Sequence, residues 1–271
     1  MKSILLFIPL TLLAFSCKKD NQQPAFIETQ ISLTTHKLTA FSIIKNSEYL
    51  IVFETGLGDD HTIWYQKNLT MKINAKQDVL MYDRAGYGKS EKGPAARNIS
   101  KLSGELDSLI NKFSNGRKVI LVGHSIAGMI IRDYAIKNPS KTAGLLFIDP
   151  SHEAYNILTQ AQEDFIYNTF LSGYGADFGA TMEASQLIED SQYMATLSNL
   201  PNVPVIVLTS MTVDASHSSS DRQSWYNSHE LLKLGVTDFT HISTTNSGHY
   251  IFLDEPDLVL DNLNLLISKL P

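Results

Sequence analysis

The chain has 271 residues, 43% of them apolar and 18% charged, with a formal net charge of −6. That composition excludes a disordered chain and is long enough for one large domain with a buried core. The acidic balance, with no clustered Lys and Arg, excludes the basic face that a nucleic-acid partner requires.

In chain order the first element is a leader. Lys2 supplies a positive start, and residues 4–15 form an apolar run broken only by Pro9 and Thr11. The run is too short to span a bilayer comfortably and has the form of a secretory signal over residues 1–16. Cys17, the one cysteine of the chain, follows the small Ser16, and residues 18–24 are polar. A lone cysteine excludes an internal disulfide. Its position resembles the lipobox of bacterial lipoproteins, although Phe15 is bulkier than the strict pattern. The resemblance implies export, a lipid on Cys17, a tether over residues 17–25, and attachment to the periplasmic or cell-surface side of a bacterial membrane through that lipid alone. The alternative is a plain signal peptide cut nearby, which leaves a free thiol.

The remaining residues, 26–271, read as one domain. Residues 26–33, 38–44, 49–53 and 79–82 are rich in apolar and β-forming side chains and predict strands. Residues 100–113 carry Leu102, Leu106, Leu109, Ile110 and Phe113 at helical spacing. A buried-strand run follows at 119–122, then a helix at 127–137 that stops before Pro139, then strands at 145–148 and 205–208. Short apolar strands alternating with amphipathic helices predict an α/β fold with a mostly parallel sheet covered on both faces.

The alternation breaks over residues 151–200. Helical stretches at 153–171 and 181–197 flank a Gly-rich turn at 173–179, with Tyr155, Phe165, Tyr167, Phe170, Tyr174, Phe178 and Tyr193 among them. An insertion between two core strands that brings its own apolar side chains is expected to be a helical cap over the site. Ordinary packing helices beside the sheet are the alternative.

The strongest chemical signal is Gly123-His124-Ser125-Ile126-Ala127, where a buried strand runs into a serine and then a helix. Small flanking residues let the chain turn sharply and present the hydroxyl at the sheet edge, with a helix N-terminus behind it. The usual G-x-S-x-G pattern is altered: Ala127 takes the last position and Gly128 comes one later. A serine that merely caps the helix is the bland alternative. A serine nucleophile needs a base, and the base needs a carboxylate to fix its tautomer. His249, in Ser247-Gly248-His249, stands on a loop before a last helix at 257–270, where a base following the nucleophile in chain order belongs. His36, His61, His217, His229 and His241 are read as surface or packing residues.

Two aspartates compete to be the acid. Asp149 ends the strand at 145–148, and Asp214 lies just beyond the strand at 205–208, both at the carboxyl edge of the sheet. The oxyanion needs two backbone N–H donors. Ile126 supplies one, and the Gly-rich turn Glu54-Thr55-Gly56-Leu57-Gly58 offers Leu57 as the other. This turn is not a dinucleotide fingerprint, because His61 occupies the place of the third glycine. Glu54, His124 and His152 are candidates for the pocket wall, His124 in a structural role, since a neighbour on the tight turn cannot also be the base.

Five segments together resemble the α/β-hydrolase fold superfamily: Glu54-Thr55-Gly56-Leu57-Gly58, Tyr82-Asp83-Arg84-Ala85-Gly86-Tyr87-Gly88-Lys89-Ser90, Gly123-His124-Ser125, Asp149-Pro150-Ser151-His152-Glu153 and Ser247-Gly248-His249. Most relatives carry His-Gly where Thr55-Gly56 stands here. The branch with a Glu-x-Gly-x-Gly turn and an Asp-Pro-Ser-His-Glu motif often lacks a later acid, and this resemblance favours Asp149. It implies a serine hydrolase that cleaves a carboxylic ester of a small, largely apolar substrate through an acyl-enzyme. No cofactor is expected, and no metal, because no His and carboxylate cluster shows ligand spacing. The rivals are a binding protein on a degenerate hydrolase scaffold and a cofactor-free peroxidase or carbon–carbon hydrolase using the same residues.

Overall fold

A computed structural model describes residues 26–73, 77–155 and 157–271. The leader, Cys17 and the tether expected over residues 1–25 lie outside the described residues. The apolar runs form strands β1 (Ile27–Ser32), β2 (Lys37–Ile43), β3 (Leu50–Glu54), β4 (Asp78–Asp83), β5 (Val119–His124), β6 (Thr142–Ile148) and β7 (Val205–Ser210). An eighth, β8 (Phe239–Thr244), completes one sheet in the order β1-β2-β4-β3-β5-β6-β7-β8 among the described residues. β1 and β2 pair antiparallel, β2 pairs antiparallel with β4, and every later pairing is parallel.

β8 escapes a reading of apolar runs. Its sequence, Phe239-Thr240-His241-Ile242-Ser243-Thr244, is mostly polar because it closes the sheet as a half-buried edge. β6 starts three residues before its apolar run, at Thr142-Ala143-Gly144, since small residues on a buried strand give little hydrophobic signal.

The helices are α1 (Leu69–Lys72), α2 (Ile99–Phe113), α3 (Ala127–Lys137), α4 (Gln160–Tyr174), α5 (Gly179–Ala184), α6 (Leu187–Met194), α7 (Ser219–Glu230), α8 (Ile251–Asp254) and α9 (Pro256–Ser268). α2 and α3 cover one face, with Leu106, Ile110, Ile130 and Tyr134 packed in a layer with Leu121 and Leu145. α9 covers the other with Leu263 and Leu266, joined by Trp64 and Phe252, over Ile120 and Ile206. Burying each such leucine is worth about 1.5–3 kcal/mol, and layers on both faces explain why β5, β6 and β7 are buried throughout and mostly apolar.

α4, α5 and α6 lie between β6 and β7. The first begins at Gln160 rather than at 153 because Thr159 and Gln162 form a capping box that starts the helix there. The carboxyl ends of β5, β6 and β7 point one way, so the residues that follow them meet at a single edge of the sheet.

Candidate active site

Ser125 follows β5 directly and has φ 58°, the left-handed region that side-chain-bearing residues rarely adopt. The turn is held by its backbone: Ser125 N donates to Ile148 O at 3.2 Å, and Ser151 N donates to Ser125 O at 2.8 Å. A Cβ at position 123 would lie 2.8 Å from Ile131 Cδ1 and 3.0 Å from Ala127 O, so a larger residue there would crowd the start of α3. At 128 a Cβ would lie 2.4 Å from Pro150 Cβ, whereas Ala127 is accommodated fully buried. The displaced glycine therefore answers to the approach of the loop after β6.

His249 Nδ1 lies 2.7 Å from Asp149 Oδ2. Asp149 is fully buried at the end of β6, and its Oδ1 accepts from Ser210 N at 2.9 Å and from Trp225 Nε1 at 2.7 Å. Burial pushes this carboxyl up, but the hydrogen bond and charge of His249, with the indole N–H, outweigh it and hold Asp149 below the usual carboxylate range. An ionised Asp149 assigns the Nδ1 proton to His249 and leaves Nε2 as the acceptor. The loop carrying His249 is fastened at several points. His124 Nε2 donates to His249 O at 3.1 Å, Ser210 Oγ donates to Ser247 O at 2.7 Å, and Gly248 N donates to Asp254 Oδ2 at 3.3 Å.

Asp214, the competing acid, is not beside the imidazole. It sits half exposed in the loop after β7, accepts from Ser216 N and His217 N at 2.8 and 2.9 Å, and pairs with His217 Nδ1 at 3.0 Å. Its Oδ1 serves its own turn, and its Oδ2 lies 3.7 Å from Arg222 Nη2.

Two cavities open beside Ser125. One, of about 320 Å³, is lined by Ser125, Asp149, Tyr155, Arg222, Trp225 and His249, with His217 on the same wall. The other, of about 170 Å³, is lined by Ser125, Leu57, Ile126, Met129, Ile166 and Leu187. Leu57 and Ile126 thus border the space next to the serine hydroxyl, as two oxyanion donors must.

Three pocket candidates lie elsewhere. Glu54 is buried in a polar cluster: it accepts from Arg84 Nη1 at 2.8 Å and from the Tyr82 hydroxyl. His124 packs its ring against His249 at 4.5 Å and is fully buried, which pushes it down to about 3, so it stays neutral. His152 is buried, with Nδ1 accepting from Ala154 N at 3.1 Å. Each faces a packed neighbour and lines neither cavity, because an ionisable group this close to the elbow is used to brace it. His217 differs in the opposite sense: read as a surface or packing residue, it lines the larger cavity.

Arg84 shows what the Glu54 turn is for. Its Nη1 donates to Thr55 O at 2.7 Å, its Nη2 to Gly56 O at 2.9 Å, and its Nε to Glu183 Oε1 at 2.9 Å. One buried guanidinium therefore holds the turn that carries Leu57 and ties it to α5 of the insertion. Asp60, His61 and Asp83 also come together, with ligand atoms within 4.8 Å of one another. This juxtaposition, invisible in sequence spacing, is consumed internally. His61 Nδ1 and N bond Asp83 Oδ1 at 2.7 and 2.9 Å, and Lys89 N donates to its other oxygen at 2.8 Å.

Sequence reasoning missed Trp225, Arg222, Arg84 and Asp190. The tryptophan had a usable signal, since the chain has only two and a buried indole N–H needs an acceptor. The others owe their place in the site to residues distant in sequence: Arg84 to Glu183, Asp190 to Ile99, and Arg222 to the cavity that Ser125 lines.

Residues 49–256 match the family described as alpha/beta hydrolase fold. The uncharacterized protein YqjL of Bacillus subtilis is 28% identical over 218 residues, 79% of this chain and 81% of that protein. The (lyso)-N-acylphosphatidylethanolamine lipase of Homo sapiens is 26% identical over 113 residues, 39% of this chain and only 31% of the lipase. Among solved structures, the monoacylglycerol lipase of Paleococcus ferrophilus superimposes with a TM-score of 0.65 at 17% identity, covering 86% of this chain and 99% of that one. At that identity the likeness is one of fold.

Proposed function

We propose that this chain, which belongs to the alpha/beta hydrolase fold family, is a serine hydrolase that cleaves a carboxylic ester through an acyl-enzyme. The observation that carries this reading is the 2.7 Å contact of His249 with Asp149 at the rim of a cavity that also holds Ser125. In the proposed reaction Ser125 Oγ attacks the ester carbonyl while His249 Nε2 takes its proton. Asp149 stabilises the imidazolium, and the N–H groups of Leu57 and Ile126 receive the oxyanion. The C–O bond to the alcohol breaks as His249 protonates the leaving oxygen. Water, activated by the same imidazole, then releases the acid and restores the serine. A lipase among the partial relatives is consistent with acyl-ester chemistry.

A fluorophosphonate probe tests the assignment. Covalent labelling of Ser125 in the native chain, absent from Ser125→Ala, is expected, together with loss of ester hydrolysis on the order of 10⁶ in turnover in that variant. Labelling elsewhere, or more than a few per cent of wild-type hydrolysis by folded Ser125→Ala, overturns it. We infer also that the chain is exported and carried on a membrane by a lipid on Cys17, on the strength of the apolar run and the cysteine that ends it.

A further inference from the structure

Ser125 lines two cavities. The smaller is walled mainly by Leu57, Met129, Leu158, Ile166 and Leu187, with Asp190, Ser151 and Ser191 also on its wall, and its apolar side suits a short hydrocarbon chain. The larger presents a cation. Arg222 is only 5% exposed, yet its side chain lines the space that holds Ser125. Its Nε donates to Thr212 O at 2.7 Å, which fixes the plane of the guanidinium, and Nη2 lies 3.7 Å from Asp214 Oδ2, beyond hydrogen-bond distance. Asp214 is itself half exposed, and its other oxygen, Oδ1, accepts from Ser216 N and His217 N. The other carboxylate of the cavity, Asp149, is matched by His249, Ser210 and Trp225. A guanidinium withdrawn from water and only loosely countered is costly, and the cost is recovered when a ligand brings an anion.

We propose that the substrate is an ester with a carboxylate on the arm that enters the larger cavity, received by Arg222 and His217, and a short apolar chain on the other arm. This rests on the serine-hydrolase reading and names its substrate class: a hemiester of a small dicarboxylic acid. Hydrolysis of such a compound forms the Ser125 ester, releases the alcohol with the proton from His249, and ends, after addition of water, in the diacid.

The test compares monobutyl succinate with butyl levulinate, a neutral ester of the same length in which a ketone replaces the acid. For the full-length chain, kcat/KM is expected to favour the hemiester by ~10-fold or more, as a charge-assisted pair confers. The preference should collapse in Arg222→Gln. It should rise in Asp214→Asn, which removes the competing charge but keeps the acceptor of its turn, so a poorly folded Arg222 variant leaves the result readable. Equal rates on both esters, or a ratio unmoved by either variant, overturns the proposal. Calorimetric titration of Ser125→Ala with both compounds separates the two readings. Tighter binding of the hemiester without turnover by the native chain keeps the anion site and removes the hydrolase. Turnover of both esters with equal binding does the reverse, and neither binding nor turnover overturns both.

Discussion

Asp149 and Asp214 differ in what surrounds them. Asp149 is buried and receives three N–H donors, whereas Asp214 serves its own turn at the surface. Replacing the first with asparagine turns an amide N–H₂ or a neutral oxygen toward His249 and favours the wrong tautomer, a loss that approaches ~10⁴ in turnover. Asp149→Asn is therefore expected to be crippled and Asp214→Asn to retain a working triad, read from kcat on any accepted neutral ester. Comparable losses in both would remove Asp149 from the role. Trp225 is argued to act through Asp149. Its N–H helps hold that carboxyl down, so Trp225→Phe, which keeps an aromatic ring beside His229 and removes the donor, should raise Asp149. A less satisfied carboxylate then holds the His249 proton more strongly, and the acid limb of the kcat/KM profile moves to higher pH. A limb that stays in place would make the indole a packing residue only.

At the level of elements, the insertion between β6 and β7 is joined to the core by buried charge. Glu183 of α5 holds Arg84, and Asp190 of α6 accepts from Ile99 N at the start of α2 at 2.8 Å. Burial pushes Asp190 up to about 7, against the opposing Ile99 hydrogen bond, and Glu183, Glu189 and Glu163 add to the rise. A carboxyl raised on folding favours the folded state most below its unfolded value near ~4, and that contribution is lost as pH rises through 7. The urea midpoint of the native chain should therefore fall between pH 4 and pH 7 more than that of Asp190→Asn, which cannot ionise and keeps an oxygen for Ile99. Parallel curves for the two proteins would show that Asp190 does not titrate in this range.

For the whole molecule, the decisive feature of the N-terminus is Cys17 after an apolar run of the wrong length to cross a membrane. No helix among the described residues is long and apolar enough to cross one either. The proposed attachment is through a lipid on Cys17. Cys17→Ser expressed in a bacterial host that lipidates exported proteins should move the chain from the membrane fraction to the soluble fraction. Equal partition of the two proteins between fractions would refute the anchor.

The parts of this protein legible in its sequence are those governed by local rules. Seven of the eight strands announce themselves as apolar runs or alternations, the central ones because burial on two faces favours Val, Ile, Leu and Phe. The elbow is legible because a buried strand ending in Gly123-His124-Ser125 leaves the chain few ways to turn, and His249 because it alone of the eight histidines stands on a loop shortly before the last helix. Polar edge strand β8 gave no such signal. Position alone left Asp149 and Asp214 level, since both follow parallel strands at the same edge, and only the family resemblance favoured Asp149. The folded chain separates them physically: Trp225 of α7 and Ser210 of β7 donate to Asp149, while Asp214 is held at the surface by its own turn. Arg222 beside the serine, Arg84 beneath the Leu57 turn and Asp190 against α2 belong to the same class. Each owes its role to partners tens of residues away, and hydrogen bonds and burial at that separation follow from packing, which no local pattern encodes.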